Sequence, residues 1–199
     1  MIENFRIRFT QAFIVVILLI VLFSKSYFES NLPVISALLF FIGIVLAGFA
    51  SLGRLWCSLY IAGYKTDKLV IQGPYSMSRN PLYFFSLLGA VGAGFATETF
   101  LIPLLILIVF SIYYPFVIIS EEAELRSKHP NDFDSYYKSV PKFFPKISLL
   151  TEPREYIVRP VIFRKHMFDA MWFIWFIGIL EIIEELHELG IMPTLFTLY

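Results

Sequence analysis

Two polar clusters break an otherwise apolar chain, and both hold groups able to do chemistry. The first, Gly73-Pro74-Tyr75-Ser76-Met77-Ser78-Arg79-Asn80-Pro81-Leu82-Tyr83, is turn-prone and runs straight into a long apolar stretch. Gly73-Pro74 signals a turn, and Pro81 can open a helix because the first helical N–H has no partner to lose. Arg79 and Asn80 then stand at the mouth of that helix. The second cluster, Ser120-Glu121-Glu122, closes the next apolar run. Two adjacent carboxylates near a membrane interface are costly unless something cationic answers them. Arg79 is one answer and a cationic ligand is another. The plain alternative is a solvated helix in which Glu122 pairs with Arg126, one turn further on.

Composition sets the elements that must hold these groups. With 58% hydrophobic residues among 199 and a mean hydropathy of +0.72, the chain is too apolar for a water-soluble domain and reads as a multi-span membrane protein. A formal charge of zero argues against a nucleic-acid surface, which needs a basic excess. The single cysteine, Cys57, excludes an internal disulfide and a metal-binding cysteine pair. The first apolar run lacks a small-x-small exit, so it is expected to be retained as a span rather than cleaved as a leader.

Apolar runs at about 9–23, 32–50, 82–96, 100–119 and 168–183 predict an all-α polytopic membrane bundle of about five transmembrane helices with a cytoplasmic polar cap. The chain is expected to form a single membrane domain, with a core at about 52–145 and a C-terminal extension at 150–199. Gly53-Arg54-Leu55-Trp56 is expected to leave the membrane, and Gly63 to Gln72 to form a polar connector. Glu121 to Lys128 continues the fourth span beyond the lipid, and Asp132 caps a short helix through Ser139. A cytoplasmic N-terminus places Arg6, Arg8, Arg54, Lys65, Lys68, Arg79 and the basic residues from Arg126 to Lys165 inside. Only Lys25 then falls outside, as the positive-inside rule asks.

Thr97-Glu98-Thr99 is so short a link that the third and fourth spans must form an antiparallel hairpin, which sets the two clusters at matching depth on the cytoplasmic side. The third span carries small residues at Ser86, Gly89, Ala90, Ala93 and Gly94, a spacing that lets a helix or a ligand come close to the backbone. This glycine run lies inside a membrane span instead of between a strand and a helix, so it reads as packing or close ligand approach rather than a dinucleotide loop. Pro115 is expected to bend the fourth span. Asp169 and Glu181 read as the ends of the fifth span emerging into water. Glu184, His187 and Glu188 read as a solvated helix end, since a single Glu-x-x-His set is weak as a metal site.

Leu69-Val70-Ile71-Gln72-Gly73-Pro74-Tyr75 leading into Arg79-Asn80-Pro81-Leu82-Tyr83, then Glu121-Glu122-Ala123-Glu124-Leu125, then Phe133, Tyr136, Val140 and Pro141 make three ordered motifs. In these the chain resembles the integral-membrane methyltransferases typified by isoprenylcysteine carboxyl methyltransferase, which are similar to the phospholipid N-methyltransferases. Asn80 stands where that family has His, as in the Asn-Pro of phospholipid methyltransferases, and keeps a hydrogen-bonding side chain without a titratable role. Lys142 follows Val-Pro where Arg is common, keeping the charge but not the planar fork.

The resemblance implies S-adenosylmethionine as methyl donor, held between the third and fourth spans and the polar cap. It implies cofactor contacts from Gln72, Tyr75, Arg79, Asn80, Pro81, Tyr83, Glu121, Glu122 and Tyr136, with Arg79, Glu121 and Glu122 catalytic and no metal. Glu121 and Glu122 would answer the sulfonium and ammonium, the helix opening near Pro81 the carboxylate, and Tyr75, Tyr83, Phe133 or Tyr136 the adenine. The implied acceptor is a lipidic or prenylated carboxylate, amine or thiol entering from the bilayer. Two alternatives stay open: a membrane reductase using a nicotinamide cofactor, whose known forms have many more spans, and a non-enzymatic membrane protein that keeps the fold.

Overall fold

The structure, a computed structural model, describes the backbone of residues 2–64 and 67–199 and the side chains of 11–64 and 67–199. The Arg6, Arg8 and Lys65 side chains, used above for orientation, lie outside the described residues. The elements in order are α1 (Ile2–Leu22), β1 (Ser24–Ser26), α2 (Tyr27–Asn31), α3 (Pro33–Ile61), α4 (Pro74–Met77), α5 (Pro81–Phe95), α6 (Leu101–Lys128), α7 (Pro130–Ser139), α8 (Pro160–Glu188) and β2 (Phe196–Leu198). Helices α3, α4, α5, α7 and α8 all begin on a proline, where its missing N–H costs no helical bond.

Helices α3, α6 and α8 are long and apolar enough to cross a membrane, while α5 and the Gln11–Leu22 part of α1 are apolar but shorter. Phe41, Phe49, Leu52, Ile112 and Phe116 on the perimeter are each at least 60% exposed, whereas Ser51, Ser58, Asn80 and Glu122 are buried. An apolar outside around a partly polar inside is the reverse of a water-soluble domain and suits lipid.

Helix α3 does not stop near Ala50 as expected. It runs on through Gly53-Arg54-Leu55-Trp56 to Ile61 without a break. Arg54 therefore faces the bundle interior instead of marking its edge. A Cβ on Gly43 would lie 2.6 Å from the Ala96 nitrogen and 2.7 Å from the Gly92 oxygen, so the α3 and α5 backbones approach as only glycine permits. The Gly89 position is filled by the Phe173 ring of α8. The glycine run is thus packing, as its pattern indicates. Pro115 sits inside α6 with the helix continuous on both sides. Helix α7 starts on Pro130 with no side-chain cap, which places Asp132 in its first turn, where a negative charge suits the helix dipole.

An all-α reading leaves out one small sheet. Strands β1 and β2 pair in parallel, with Ser24 opposite Phe196 and Ser26 opposite Leu198. The Tyr199 carbonyl then accepts the N–H groups of Phe100 and Leu101 at 3.0 and 2.9 Å. The segment 140–159 returns over the end of α3: Glu152 accepts from the Trp56 ring at 3.0 Å and the Tyr60 hydroxyl at 3.2 Å. Beside it, Gly73 N–H donates to the Thr151 carbonyl at 2.9 Å.

Candidate functional site

Gly73 sits at φ 60° and ψ −135°, and a Cβ there would lie 2.4 Å from the Tyr60 ring. Only glycine fits this elbow. The buried turn α4 follows, then Ser78, whose hydroxyl donates to the Phe143 carbonyl at 2.9 Å, and Arg79, whose N–H donates to the Pro141 carbonyl at 2.9 Å. The elbow is therefore bolted to the segment after α7 before any side-chain chemistry begins.

From that fixed backbone, Arg79 Nε donates to Glu122 Oε1 at 2.8 Å. Its Nη1 donates to the carbonyls of Tyr137 and Val140, each at 2.7 Å, and its guanidinium lies 4.1 Å from the Tyr137 ring centroid. Asn80 Nδ2 donates to the same Glu122 oxygen at 3.1 Å and to the Lys142 carbonyl at 2.9 Å. The Arg79 and Glu122 side chains are 7% and 11% exposed, so this is a buried ion pair. Arg126, offered above as a solvated partner for Glu122, instead pairs with Asp134 at 2.9 Å.

Glu121 takes a different partner. Tyr83, one turn into α5, donates its hydroxyl to Glu121 Oε1 at 2.7 Å. The Tyr83 ring lies 5.3 Å from that of Tyr114, which stacks on Phe110 at 3.7 Å. Tyr114 and Phe110 belong to the wall of a cavity of about 620 Å³. Ile17 and Leu18 of α1, Ser86 and Ala90 of α5, Ile106 of α6, Phe168, Asp169, Trp172 and Phe173 of α8 and Arg54 of α3 are also part of that wall. Its volume falls in the range of ligand chambers, roughly 300–1,000 Å³.

Tyr75 is buried under the elbow, and its hydroxyl has no partner among the described residues. Burial holds its ionisation well above the usual tyrosine range, and the Glu121 carboxylate adds to the rise. Tyr136 donates its hydroxyl to the Tyr75 carbonyl at 2.8 Å, and burial raises its pKa as well. Phe133 is 1% exposed and belongs to the packed corner between α6 and α7.

The structure thus brings Arg79, Asn80, Pro81 and Glu122 into one clasp, with Tyr83, Glu121 and Tyr75 beside it and Tyr136 beneath. Gln72 is exposed ahead of the elbow. Glu122, read above as open to a cationic ligand, is already answered by Arg79 and Asn80. Arg54 escaped the sequence reading. Its signal was the apolar run that resumes after it, Leu55-Trp56-Cys57-Ser58-Leu59-Tyr60. His187 Nε2 lies 2.9 Å from the Leu22 carbonyl, and among the described residues no group of three His, Cys, Asp or Glu is arranged to hold a metal ion.

Residues 32–131 match the phospholipid methyltransferase family. Over 140 residues, 70% of this chain and 65% of the relative, the chain is 41% identical to the nickel-cobalt-cadmium resistance protein NccN of Alcaligenes xylosoxydans xylosoxydans. Over 193 residues, 97% of this chain and 88% of the relative, it is 33% identical to the cobalt-zinc-cadmium resistance protein CzcN of Cupriavidus metallidurans. No solved structure matches. The matched segment contains the elbow, Tyr83, both glutamates and Arg54, and the likeness to CzcN runs nearly end to end. On those grounds the chain belongs to the phospholipid methyltransferase family of membrane proteins.

Proposed function

We propose that the protein is an integral-membrane methyltransferase that uses S-adenosylmethionine, as its family generally does, on a lipidic or prenylated carboxylate, amine or thiol. The observation that carries this reading is the Tyr83–Glu121 pair, next in sequence to the buried Arg79–Glu122 clasp and linked by the Tyr83–Tyr114 ring contact to the wall of the 620 Å³ cavity. In the same reading the five apolar helices all cross the bilayer as one domain, and the N-terminus and the clasp face the cytoplasm. The basic residues then crowd on that side.

The residues present fit the cosubstrate. A buried hydroxyl without a partner costs roughly 1–3 kcal/mol, and the Tyr75 hydroxyl is such a group beside Glu121 and Tyr83. A polar ligand atom there removes that cost. The Glu121 carboxylate, half-buried and accepting from the Tyr83 hydroxyl, supplies the countercharge for a cation. S-adenosylmethionine, when bound, supplies an electrophilic methyl on a positively charged sulfur. The chain's own work is positioning and exclusion of water, the main levers for such a displacement. Arg79, Asn80 and Glu122 lock α6 against the mouth of α5 and so fix where Glu121 stands. For an amine or thiol acceptor the Glu121 carboxylate takes the proton; a carboxylate acceptor needs no base. The cavity walls receive the acceptor's apolar part from the lipid.

The relatives named above are named for metal resistance. Under this reading, any such role of this chain runs through the lipid it modifies. The test is calorimetric titration of S-adenosylmethionine into the protein in lipid nanodiscs. Wild type binds, and Glu121→Gln binds at least ~10-fold more weakly, about the value of one charge-assisted contact. No heat from wild type removes the enzyme reading, and unchanged affinity in Glu121→Gln removes Glu121 from the site. Mass spectrometry of a lipid extract incubated with labelled donor then identifies the methylated product.

A further inference from the structure

Arg54 is a charge for which the proposed reaction has no use. It lies within the continuous helix α3 and faces the cavity. Its Nη1 donates to Ser86 Oγ, and its Nη2 reaches only the main-chain oxygen of Asp169, at 3.4 Å. The guanidinium carbon is 5.7 Å from the Phe173 centroid. Its Nε is buried and has no partner among the described residues. No carboxylate among them comes within 4.0 Å of it. The Asp169 carboxylate, on the same rim, is turned to His166 at 3.7 Å.

A guanidinium presents five N–H donors in a rigid fork. Here a hydroxyl and a long carbonyl contact occupy two of them, and among the described residues the charge is answered only from a distance, by Asp169 on the same rim, with no carboxylate in contact. An arginine at bilayer depth is costly unless it is paired, and such residues mark a pathway or a ligand. Ser86 is itself pinned, donating to the Leu82 carbonyl at 2.7 Å, so its acceptor side is presented to Arg54 and holds the fork toward the cavity. Ser86 also sits one turn along α5 from Tyr83. At ~1.5 Å per residue, only about 4.5 Å of helix axis separates the level of Arg54 from that of the Tyr83–Glu121 pair.

We infer that Arg54 is an oxyanion subsite of this cavity, binding the carboxylate or phosphate head of a single-chain amphiphile whose tail lies among Ile106, Phe168, Trp172 and Phe173. The inference gives the acceptor chamber proposed above a charge preference. It concerns binding alone, so it can fail separately from methyl transfer.

The experiment uses the full chain in phosphatidylcholine nanodiscs without cosubstrate, titrated with palmitate, lysophosphatidate or hexadecanol and read by native mass spectrometry and melting temperature. Wild type binds at least one of the two anions ~10-fold or more tightly than the alcohol, as a charge-assisted contact requires. Arg54→Gln abolishes that preference, and Arg54→Lys, which keeps the charge without the fork, restores part of it. Ala90→Phe fills the chamber from α5 and weakens all three ligands with Arg54 intact, which keeps the test decisive if Arg54→Gln does not fold. Equal binding of palmitate, lysophosphatidate and hexadecanol by wild type, or undiminished anion preference in Arg54→Gln, overturns the inference.

Adding labelled S-adenosylmethionine separates the two sources of oxyanion. If methyl palmitate forms, a carboxylate oxygen has bonded to the methyl carbon while the sulfur–methyl bond broke with its electron pair to sulfur, leaving S-adenosylhomocysteine. The carboxylate is then the acceptor itself. If lysophosphatidate is the preferred ligand and no ester forms, the oxyanion is the anchoring head of an acceptor methylated elsewhere. Anion preference without any binding of S-adenosylmethionine retains Arg54 as the subsite and sinks the methyltransferase reading alone.

Discussion

Glu121 and Glu122 are adjacent in sequence and differ in circumstance. Successive helical residues point about 100° apart, so Glu122 turns into the clasp with Arg79 and Asn80 while Glu121 turns to Tyr83. Removing the Glu122 carboxylate leaves the Arg79 charge buried against two carbonyls and a tyrosine ring. Breaking a buried pair from one side costs roughly 3–5 kcal/mol, and the Tyr137 and Val140 carbonyls keep Glu122→Ala toward the lower end of that range. Arg79→Ala behaves alike, and the double variant costs less than the sum of the two, because the surviving charge is gone. Unfolding in detergent at fixed concentration measures all three; additive losses would mean the pair is not coupled. The meeting of Arg79 with a glutamate was legible from the hairpin and its short turn. Which glutamate it meets depends on the rotation of α6 about its axis, which Pro115 and lipid-facing residues on several sides leave unmarked. Arg54 was misread for a similar reason: an arginine after a long apolar run ordinarily marks a membrane exit, and the resumption of apolar residues at Leu55 was a weak sign to the contrary beside the placement of Ser86 across from it.

Helix α5 is short, and what it lacks in length it recovers in closeness to α3. The contact centres on Gly43 and Gly92, where an added Cβ would meet backbone atoms that cannot swing away. Gly43→Ala is therefore expected to destabilise by about 1–3 kcal/mol, the usual range for overpacking. Gly48, on the same helix, has nothing within 4 Å of an added Cβ. Gly48→Ala should be neutral or stabilising by up to about 1 kcal/mol, since alanine favours the helix. Melting temperatures of the two variants in one detergent make the comparison, and equal losses would remove the close-approach account. The spacing of small residues along α5 announced this packing; their division between two neighbours did not follow from it. Gly92 faces α3, Gly89 faces Phe173 of α8, and Ser86 and Ala90 face the cavity, a partition fixed by where α8 docks.

The bundle as a whole is tied at both ends by segments that carry little periodic signal. Apolar runs announced the five long or apolar helices, and Pro81 announced where α5 begins, whereas α8 starts at Pro160, ahead of the apolar run expected from 168. The pairing of β1 with β2 was hidden because each is only three residues long and they lie far apart in sequence. This closure seals the end of the molecule away from the elbow. The Tyr199 carbonyl and the Leu195 N–H, bonded to Phe23, join the α1–α2 corner to the start of α6, where the first N–H groups of a helix lack partners of their own. Deleting residues 194–199 should therefore speed hydrogen exchange at Ser24–Ser26, Phe100 and Leu101 and lower the melting temperature by several degrees, about 1–2 kcal/mol for a chain of this size. The 15 residues of α5 put about 22 Å of helix between that end and the clasp. Exchange at Gly73–Arg79 should stay slow, and S-adenosylmethionine should bind with unchanged affinity. If the elbow amides open together with those of β1, the tail is part of a single cooperative unit with the site, and the separation of a sealing end from a working end fails.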